Sequence, residues 1–543
     1  MSFTQTVNPV EVALHEARAA LQRGDLAAVV PAAQKAVALD PKAVLGWWLW
    51  GLAAMEMMNM AEAEQVLNEG LKYLADGHPL RVRFLVQRAR ALVKRGCYAE
   101  ANADIDLAIQ AVPDDAESLY ILGQMLIDAM REPGALPLLE RATVLNPSAP
   151  DYWHSRGNAE HFMGKLDDAE RSYETSLALR SDTAVHLALA RLKKWTPEHN
   201  HIPRLLDVAA DMPIDIGRKG YALFKEYDDV GDRDAAWKAL QSGATAMHQI
   251  QTGAGQSTWS PAVEAATVDA WKIHFPVSRF ANPPSTPRSV PKRIFIVGLP
   301  RSGTTLVERI LTAHSQVKAQ GELQTFGLAT KVLTESLRWH QFDPETVAKA
   351  AALDPQAIAE YYNRETSYLN DGAAYVIDKL PHNYEVAGLI RLAFPDALIV
   401  HVRREPMDAL FGAYKLFFAA QWSFDQDDLA DHYMQYLRLM MHWQACLGDG
   451  LINVSLEAVI ANPESEIRRL IAACGLPWEE ACLNPHEAEG AVATASSVQV
   501  RKPINSEGVN AWRKYETGMQ PLRTRLERVG LIDSDGKATT TFG

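Results

Sequence analysis

Small and apolar residues return along the first third of the chain at nearly equal intervals. One row runs through Gly24, Met58, Gly96, Met130 and Gly164, in steps of 34, 38, 34 and 34 residues. Two further rows, which start at residues 17 and 36, repeat the same steps. Within each period apolar residues recur every three or four positions, which predicts amphipathic helices. The pattern predicts stacked helix pairs as far as about residue 180.

Prolines at positions 41, 79, 113 and 147 close successive periods. A 34-residue unit of two helices, with small residues where the helices touch, resembles the tetratricopeptide repeat. A weaker unit follows at 221–240. Because a repeat specifies no ligand by itself, two interpretations of this all-α superhelix stay open. It is either a helical spacer or a concave groove that binds a peptide partner.

The pattern changes after ANPPSTPRSVPKR (281–293), whose four prolines predict an extended linker. Short β-rich apolar runs now alternate with helical stretches, which predicts a parallel sheet with helices on both faces. These runs are IFIV (294–297), YVI (375–377), ALIVHV (397–402) and LINVSL (451–456). The sequence therefore predicts a repeat domain (8–250), a connector with the proline-rich linker (251–291) and an α/β domain (292–535). Ligands of such sheets bind beyond the carboxyl ends of the strands.

The composition of the chain argues against several classes of function. A formal net charge of −13 argues against a general nucleic-acid binder, and the 48% hydrophobic and 22% charged fractions are those of a globular protein. Cys97, Cys446, Cys474 and Cys482 show neither zinc-ligand spacing nor a disulfide framework. The N-terminus lacks the pattern of a signal peptide, and the most apolar run, 44–55, is too short to span a bilayer. We expect a cytoplasmic protein without a membrane span.

A glycine-bounded loop follows the first predicted strand, in IFIVGLPRSGTTLVERIL (294–311). Gly298 and Gly303 are separated by four residues, as in a phosphate-binding P-loop. Backbone amides and a helix N-terminus there attract an anion, and Thr304 and Thr305 add hydroxyl donors. Thr304 stands where a nucleotide-hydrolysing P-loop has lysine, and the cation is Arg301 instead. This difference argues against a kinase or ATPase.

The segment PRSGTT (300–305) resembles the 5′-phosphosulfate loop of sulfotransferases. The resemblance is to the tyrosylprotein sulfotransferases and to bacterial proteins that join tetratricopeptide repeats to a sulfotransferase domain. It implies that the chain binds 3′-phosphoadenosine 5′-phosphosulfate (PAPS) as sulfuryl donor and needs no metal. The residues of the loop that it assigns to the donor are Arg301, Ser302, Gly303, Thr304 and Thr305.

A second segment, IVHVRREPMDALFGAYK (399–415), resembles the family's 3′-phosphate motif. Arg404 matches the phosphate-binding arginine, whose planar guanidinium suits a phosphate dianion. The alternative interpretation of this arginine is a solvated strand end. The family has serine eight residues later, and this chain has Gly412, with Lys415 as a partial replacement. The resemblance implies that restoring serine at position 412 would tighten donor binding.

A third segment, TASSVQVRKPINSEGVNAWRKY (494–515), resembles the part of the family that closes over the donor. Ser496 matches a serine near the transferred group. The stretch from Gln499 to Asn505 matches the loop over the nucleotide, and its assigned donor-binding residues are Gln499, Val500, Arg501 and Lys502. A later lysine of the family corresponds to Ala511, with Arg513 as a substitute.

For the chemistry, the resemblance places Glu322 on the catalytic base of the tyrosylprotein sulfotransferases. A partly desolvated carboxylate can serve as a base. Lys379 matches a lysine near the sulfuryl group, so that Arg301 and Lys379 would stabilise developing negative charge. His382 and His401 are alternative bases, although a histidine within a strand, such as His401, more often lies in the core.

The sequence thus predicts an all-α tetratricopeptide-repeat superhelix followed by an α/β, P-loop-like sulfotransferase domain with a parallel sheet. The predicted activity is PAPS-dependent sulfuryl transfer to an acceptor hydroxyl, with protein tyrosine as one candidate. A peptide or protein acceptor would bind through the repeat groove. Two alternatives stay open: a catalytically degenerate repeat scaffold that binds a peptide partner, and a P-loop kinase.

Overall fold

The structure is a computed structural model that describes residues 8–111, 115–253, 259–281, 291–336, 342–417, 420–488, 490 and 499–540. The chain forms two compact units. One consists of residues 1–159 with 364–368, and the other of residues 160–363 with 369–543. Among the helices of the described ranges, none combines the length and the apolar character that crossing a membrane requires.

The first unit is built from helix pairs. Its helices are α1 (Pro9–Gln22), α2 (Leu26–Leu39), α3 (Val44–Glu56), α4 (Met60–Leu71), α5 (Pro79–Arg95), α6 (Tyr98–Gln110), α7 (Ala116–Asp128) and α8 (Glu132–Leu145), and α9 (Pro150–Phe162) follows them. Consecutive helices pack as α1 with α2, α3 with α4, α5 with α6 and α7 with α8. The repeat predicted from the sequence is confirmed.

The first row of the repeat occupies the turn inside each pair. Gly24, Met58, Gly96 and Met130 have positive φ angles of 74°, 59°, 76° and 57°, the left-handed conformation that ends a helix. Small residues of a second row lie where paired helices touch. A Cβ at residue 51 would lie 2.7 Å from Leu67, and one at residue 123 would lie 2.6 Å from Leu139, sixteen positions later in both cases.

The second unit begins with more helices of this kind. They are α10 (Leu166–Leu179), α11 (Thr183–Arg191), α12 (Ile202–Asp207), α13 (Pro213–Val230), α14 (Arg233–Thr252) and α15 (Pro261–His274). Gly164 and Gly231 continue the row of left-handed turns, with φ angles of 78° and 89°. The weak unit at 221–240 falls on the packed pair α13 and α14.

A five-stranded parallel sheet forms the centre of this unit. Its strands are β1 (Lys292–Gly298), β2 (Val317–Ala319), β3 (Tyr375–Asp378), β4 (Leu398–Arg403) and β5 (Leu451–Ser455), in the order β2-β3-β1-β4-β5. Each of the four apolar runs identified in the sequence forms a strand. Strand β2 was not predicted because it has three residues, of which Lys318 and Ala319 are exposed.

Helices connect the strands. They are α16 (Thr304–Thr312), α17 (Thr325–Leu333), α18 (Pro344–Ala352), α19 (Pro355–Glu365), α20 (Ala387–Ala393), α21 (Pro406–Tyr414), α22 (Gln426–Leu447), α23 (Leu456–Ala461), α24 (Pro463–Ala473) and α25 (Gln520–Arg528). Short 3-10 turns include Pro381–Val386 after β3, and Gln499–Arg501 and Ala511–Tyr515 near the C-terminus.

The compact unit that contains the sheet begins at residue 160. Helix α15 lies inside the predicted connector, 251–291. Its Trp271 is buried, and the centroid of its ring lies 5.9 Å from that of Trp443 on α22. Phe275 is also fully buried beside both rings. Large aromatic side chains shared in this way bind the segments into one core. Most of the predicted linker, residues 282–290, lies outside the described residues.

Candidate active site

The loop between β1 and α16 is shaped by a close approach of two strands. Gly298 ends β1 beside Val402 of β4, and a Cβ at position 298 would lie 2.4 Å from the carbonyl oxygen of Val402. A side chain at this position would therefore collide with backbone. Arg301, at the middle of the loop, has a φ angle of 71°, which costs about 1–2 kcal/mol for a residue other than glycine. Strain of this kind is retained where it positions a functional group.

The hydroxyls after the loop are buried at the start of α16. Ser302, Thr304 and Thr305 are 1%, 4% and 5% exposed. Within the described residues the Ser302 hydroxyl oxygen is buried without a hydrogen-bond partner, which costs about 1–3 kcal/mol. Gly303 precedes the helix with a φ angle of 101°. A hydroxyl that lacks a partner beside a helix N-terminus fits a phosphate or sulfate group.

Arg404 joins this loop to two other parts of the chain. It follows β4, and its Nη1 donates a hydrogen bond to the carbonyl of Arg301 at 2.8 Å. Its Nη2 donates to the carbonyl of Gly508 at 2.5 Å. These bonds use two of the five N–H donors of a guanidinium. The second anchor of the sequence analysis thus lies against the first.

Three cations collect at this place, and we call Arg301, Arg404 and Lys415 the cation cluster. Burial, together with the charge of Arg404, lowers the pKa of Arg301 to about 10. Burial lowers the pKa of Lys415 to about 8, a shift that Asp228 opposes and that Arg301 and Arg404 increase. Because like charges in a low-dielectric region repel each other, the cluster favours a polyanionic ligand.

A carboxylate and an amine face each other beyond two neighbouring strands. Lys379 follows β3, and its backbone N–H donates to the carbonyl of Gly321, at 3.0 Å, just after β2. Its fully buried side chain forms an ion pair with the partly exposed Glu322, and Glu308 of α16 lies 3.9 Å away. The structure therefore brings the proposed base and the proposed sulfuryl-binding lysine into contact.

Asp378, immediately before Lys379, is a buried acid at a predicted strand end, to which the sequence assigned no role. Burial raises its pKa to about 8, although the hydrogen bond from the hydroxyl of Tyr362, at 3.0 Å, opposes the shift. The carboxyl group therefore holds a proton over part of the neutral range. Its sequence signal was its position at the end of a predicted strand, one residue before an assigned lysine.

Residues 499–502 divide between two places. Arg301 donates from Nη2 to the side-chain oxygen of Gln499 at 2.9 Å, so Gln499 lies at the loop. Val500 is buried and Lys502 is exposed. Arg501 instead contacts the turn between α9 and α10, where its Nη2 donates to the carbonyl of Phe162 at 2.8 Å.

The remaining assignments in the C-terminal segment have less support from the geometry. Ser496 lies outside the described residues. Arg513 donates to the carbonyl of Asp535 at 2.7 Å and covers the ring of Trp512, so it is engaged at the C-terminal turn. Asp408 was not assigned, yet it lies one helical turn after Arg404 and accepts a hydrogen bond from the backbone of Asn510 at 2.7 Å.

The position that holds serine in the family is filled by a neighbour. Gly412 lies within α21, and a Cβ there would lie 3.0 Å from the Cβ of Arg301 and 3.8 Å from Nη1 of Arg404. The stem of Arg301 thus occupies the space over α21. Glycine at 412 lets Arg301 and Arg404 approach each other.

The two histidines considered as bases are uncharged at neutral pH; His401 is buried and His382 is partly exposed. His401 is completely inaccessible, with Nδ1 2.9 Å from the side-chain oxygen of Asn453 and Nε2 2.5 Å from the hydroxyl of Tyr436. Burial lowers its pKa to about 4, which agrees with the expected core role. Burial, with the nearby His432, also lowers the pKa of His382 to about 4.

Metal ligands are not grouped in the described ranges, where no three or more His, Cys, Asp or Glu side chains are placed to hold an ion. The four cysteines are unpaired thiols, and Cys446, Cys474 and Cys482 are buried.

Comparison with known proteins identifies both parts of the chain. Residues 291–480 match the sulfotransferase family, and residues 86–153 match the tetratricopeptide repeat. An uncharacterized protein of Aquifex aeolicus (strain VF5) is 33% identical over 238 residues, which are 42% of this chain and 31% of that protein. Protein-tyrosine sulfotransferase 1 of Danio rerio is 26% identical over 241 residues, which are 40% of this chain and 65% of that protein. The chain thus spans less than two thirds of each relative.

Among solved structures, the sulfotransferase domain from the Synechococcus PCC 7002 olefin synthase has 19% identity and a TM-score of 0.31. The match covers 43% of this chain and 91% of that chain. Residues 291–480 are thus similar to the sulfotransferase family, and the same chain carries a stretch similar to tetratricopeptide repeats.

Proposed function

We propose that this protein moves a sulfuryl group from PAPS to an acceptor hydroxyl. The observation that carries the proposal is the common edge at which its assigned groups lie. Glu322 follows β2, Lys379 follows β3, the loop with Arg301 follows β1 and Arg404 follows β4. These are four adjacent parallel strands, whose carboxyl ends form the usual ligand site of such sheets.

The donor's 5′ end fits the loop. Ser302, Gly303, Thr304 and Thr305 offer hydroxyls and the amide end of α16, and Arg301 offers a guanidinium. The buried Ser302 hydroxyl, which lacks a partner among the described residues, supports this assignment. An anionic group that accepts hydrogen bonds from these residues would offset the cost of burying the Ser302 hydroxyl. It would also offset the electrostatic repulsion within the cation cluster.

The 3′-phosphate is assigned to Arg404, and the cover of the nucleotide to residues 499–502. Arg404 already links the loop to Gly508, and Gln499 bonds to Arg301. Within this cover Val500 is the buried residue, and Arg501 and Lys502 would act from its outer side. Gly412 contributes by leaving space for the side chain of Arg301 rather than by donating a hydrogen bond.

The chemistry requires one bond to break and one to form. The acceptor oxygen attacks sulfur, the bond from sulfur to the phosphate oxygen breaks, and the electron pair leaves with adenosine 3′,5′-bisphosphate. Glu322 would take the acceptor's proton. Lys379 and Arg301 would stabilise negative charge on the bridging oxygen and the sulfuryl group, and Ser496 is proposed beside that group.

We propose protein tyrosine as the acceptor, with the repeats as the peptide-binding part. Support comes from the name of the Danio rerio relative, protein-tyrosine sulfotransferase 1, and from the repeat match at residues 86–153. Repeat arrays offer extended surfaces that suit peptide chains.

Transfer of radiolabelled sulfate from PAPS tests the proposal directly. The full-length protein is incubated with a tyrosine-containing peptide library, with the matched library in which phenylalanine replaces tyrosine, and with small phenols. Label in the tyrosine library alone supports a protein-tyrosine sulfotransferase. Label only in small phenols retains the reaction and rejects the peptide acceptor.

Donor binding separates the remaining alternatives. Calorimetric titration with adenosine 3′,5′-bisphosphate, AMP and ATP measures which nucleotide binds. Selective binding of the bisphosphate without any label transfer would favour the degenerate scaffold. Preference for ATP would favour a kinase and would overturn the proposal.

A further inference from the structure

Two side chains from the helical segment α10–α14 hold the chain at the end of α21. The hydroxyl of Tyr221, on α13, donates a hydrogen bond to the carbonyl of Tyr414 at 3.0 Å. Arg191, the last residue of α11, donates from Nη2 to the carbonyl of Phe417 at 3.2 Å. Lys415, a member of the cation cluster, lies in sequence between these two carbonyls. The helical segment thus contacts the stretch that carries part of the candidate donor site.

The phosphosulfate loop contacts the same stretch a few residues earlier. A Cβ at Gly412 would lie 3.0 Å from the Cβ of Arg301, and the bond from Arg191 reaches residue 417. Arg191, from α11, and Arg301, from the loop, therefore contact the same stretch of chain. Their contact points, residues 417 and 412, are five residues apart.

The charge of Arg301, in the loop, acts on Arg191. Burial lowers the pKa of Arg191 to about 10, the hydroxyl of Tyr221 opposes this shift, and the charge of Arg301 adds to it. Arg191 thus extends the cation cluster by one more buried charge. A neutral side-chain amide could donate the same hydrogen bond to the carbonyl of Phe417. It would do so without electrostatic repulsion from the neighbouring cations, so the positive charge of Arg191 is not required for this bond.

We propose that Arg191 binds the anionic 5′ end of the donor together with Arg301, so that the helical segment supplies part of the donor site. This inference rests on the proposed function, because it adds a residue to the same donor site. It gives the helices a role in binding the nucleotide as well as any role in acceptor choice.

The substitution Arg191→Gln separates charge from anchoring. Glutamine keeps an amide donor for the carbonyl of Phe417 but removes the positive charge, whereas Arg191→Lys keeps the charge on a smaller head group. Arg218→Gln is the matched control, because Arg218 lies on α13 in an ion pair with Asp215, at 3.6 Å. Arg404→Ala reports whether the donor site itself is correctly assigned.

Titration calorimetry of the full-length variants with adenosine 3′,5′-bisphosphate measures the effect. We expect Arg191→Gln to lower the affinity by about tenfold, as for loss of a charge-assisted contact. Arg191→Lys should retain most of the affinity, and Arg218→Gln should bind as wild type. Wild-type affinity in Arg191→Gln, with weakened binding in Arg404→Ala, would overturn this inference and leave the proposed function intact. Failure of the wild-type protein to bind the bisphosphate would instead reject the donor site as a whole.

A second measurement does not depend on the folding of any variant. The wild-type protein is treated with an arginine-specific dicarbonyl reagent, with and without the bisphosphate, and its modified peptides are quantified by mass spectrometry. We expect the nucleotide to protect Arg191 and Arg301 and to leave Arg218 equally reactive. Protection of Arg301 without protection of Arg191 would show that Arg191 only anchors the chain.

Discussion

Arg404 donates a hydrogen bond to the backbone carbonyl of Arg301, at 2.8 Å. Two anchors that are about a hundred residues apart in sequence are therefore one structural element. The bond also holds Arg301 in its left-handed conformation, with a φ angle of 71°. The loop and the proposed 3′-phosphate anchor should consequently respond together when either is changed.

Removal of the Arg404 side chain should weaken binding of the 3′-phosphorylated nucleotide most. Arg404→Ala loses a charge-assisted contact of about 1.5–3 kcal/mol, or about ten- to a hundredfold in affinity for adenosine 3′,5′-bisphosphate. Binding of AMP should fall less, because only the loop is disturbed. Calorimetry with both nucleotides measures the difference, and equal losses would mean that Arg404 shapes the loop without reading the 3′-phosphate.

Substitution of Glu322 should separate turnover from donor binding. Glu322→Gln keeps the shape but cannot take a proton, so turnover should fall by about a hundred- to ten-thousandfold. Affinity for the bisphosphate should remain near that of wild type. Radiolabel transfer and calorimetry measure the two quantities.

Two companion variants make this test specific. Glu308→Gln removes the other carboxylate near Lys379, at 3.9 Å, and should cost far less turnover because Glu308 lies within α16 and is 7% exposed. His382→Gln tests the rival base. Loss of turnover in His382→Gln, with activity retained in Glu322→Gln, would show that histidine is the base.

Local patterns predicted most of the fold. The apolar runs identified β1, β3, β4 and β5, and the 34-residue period identified the repeat helices. Strand β2 escaped because it has only three residues, two of them exposed, which is too short for a periodic signal. The contact of Trp271 with Trp443 could not be predicted from local patterns, because it joins segments that are far apart in the sequence.

The candidate site could likewise be predicted only where local sequence motifs mark it. Motifs placed Arg301, Arg404 and Lys379, since each follows a strand with a recognisable sequence. The reason for Gly412 and the position of Arg191 could not be predicted, because both depend on which side chain reaches across from another segment. In the sequence, glycine at position 412 suggests a lost hydrogen bond. In the structure, the same glycine leaves the space that the side chain of Arg301 occupies.

Serine at position 412 should therefore harm the site, in contrast to what the sequence implies. The new Cβ would meet the Cβ of Arg301 at 3.0 Å, and an atom next to the backbone cannot rotate away. We expect the free energy of unfolding to fall by about 1–3 kcal/mol and the affinity for the bisphosphate to fall with it. Gly412→Ala adds the same Cβ without a hydroxyl. Tighter nucleotide binding in Gly412→Ser than in wild type and Gly412→Ala would show that the hydroxyl outweighs the crowding.

Asp378 should make stability depend on pH. Its pKa is about 8 in the folded protein and about 4 when unfolded. The folded state therefore gains stability from the bound proton below about pH 4, and it loses this contribution progressively as the pH rises to about 8. In Asp378→Asn this dependence disappears. The melting temperature of the variant relative to wild type should thus rise between pH 4 and pH 8, and a difference independent of pH would contradict the shifted pKa.

The contact between Gly164 and Arg501 gives a last prediction, in which a repeat turn controls the donor cover. Gly164 has a φ angle of 78°, and a Cβ there would lie 2.8 Å from the guanidinium carbon of Arg501. Gly231 is the matched control, because it has a φ angle of 89° and no atom within 4 Å of an added Cβ. Both Gly164→Ala and Gly231→Ala should lose about 1–2 kcal/mol of stability from the left-handed backbone.

Only Gly164→Ala should also displace the guanidinium of Arg501, the last residue of the 3-10 turn Gln499–Arg501, in which Gln499 accepts the hydrogen bond from Arg301. Its affinity for the bisphosphate should therefore fall as it does in Arg501→Ala, while Gly231→Ala binds as wild type. Melting temperatures measure the shared loss of stability, and calorimetry measures the affinity. Equal affinities in the two glycine variants would show that the cover does not depend on this turn, because the backbone strain is common to both and only the collision with Arg501 differs.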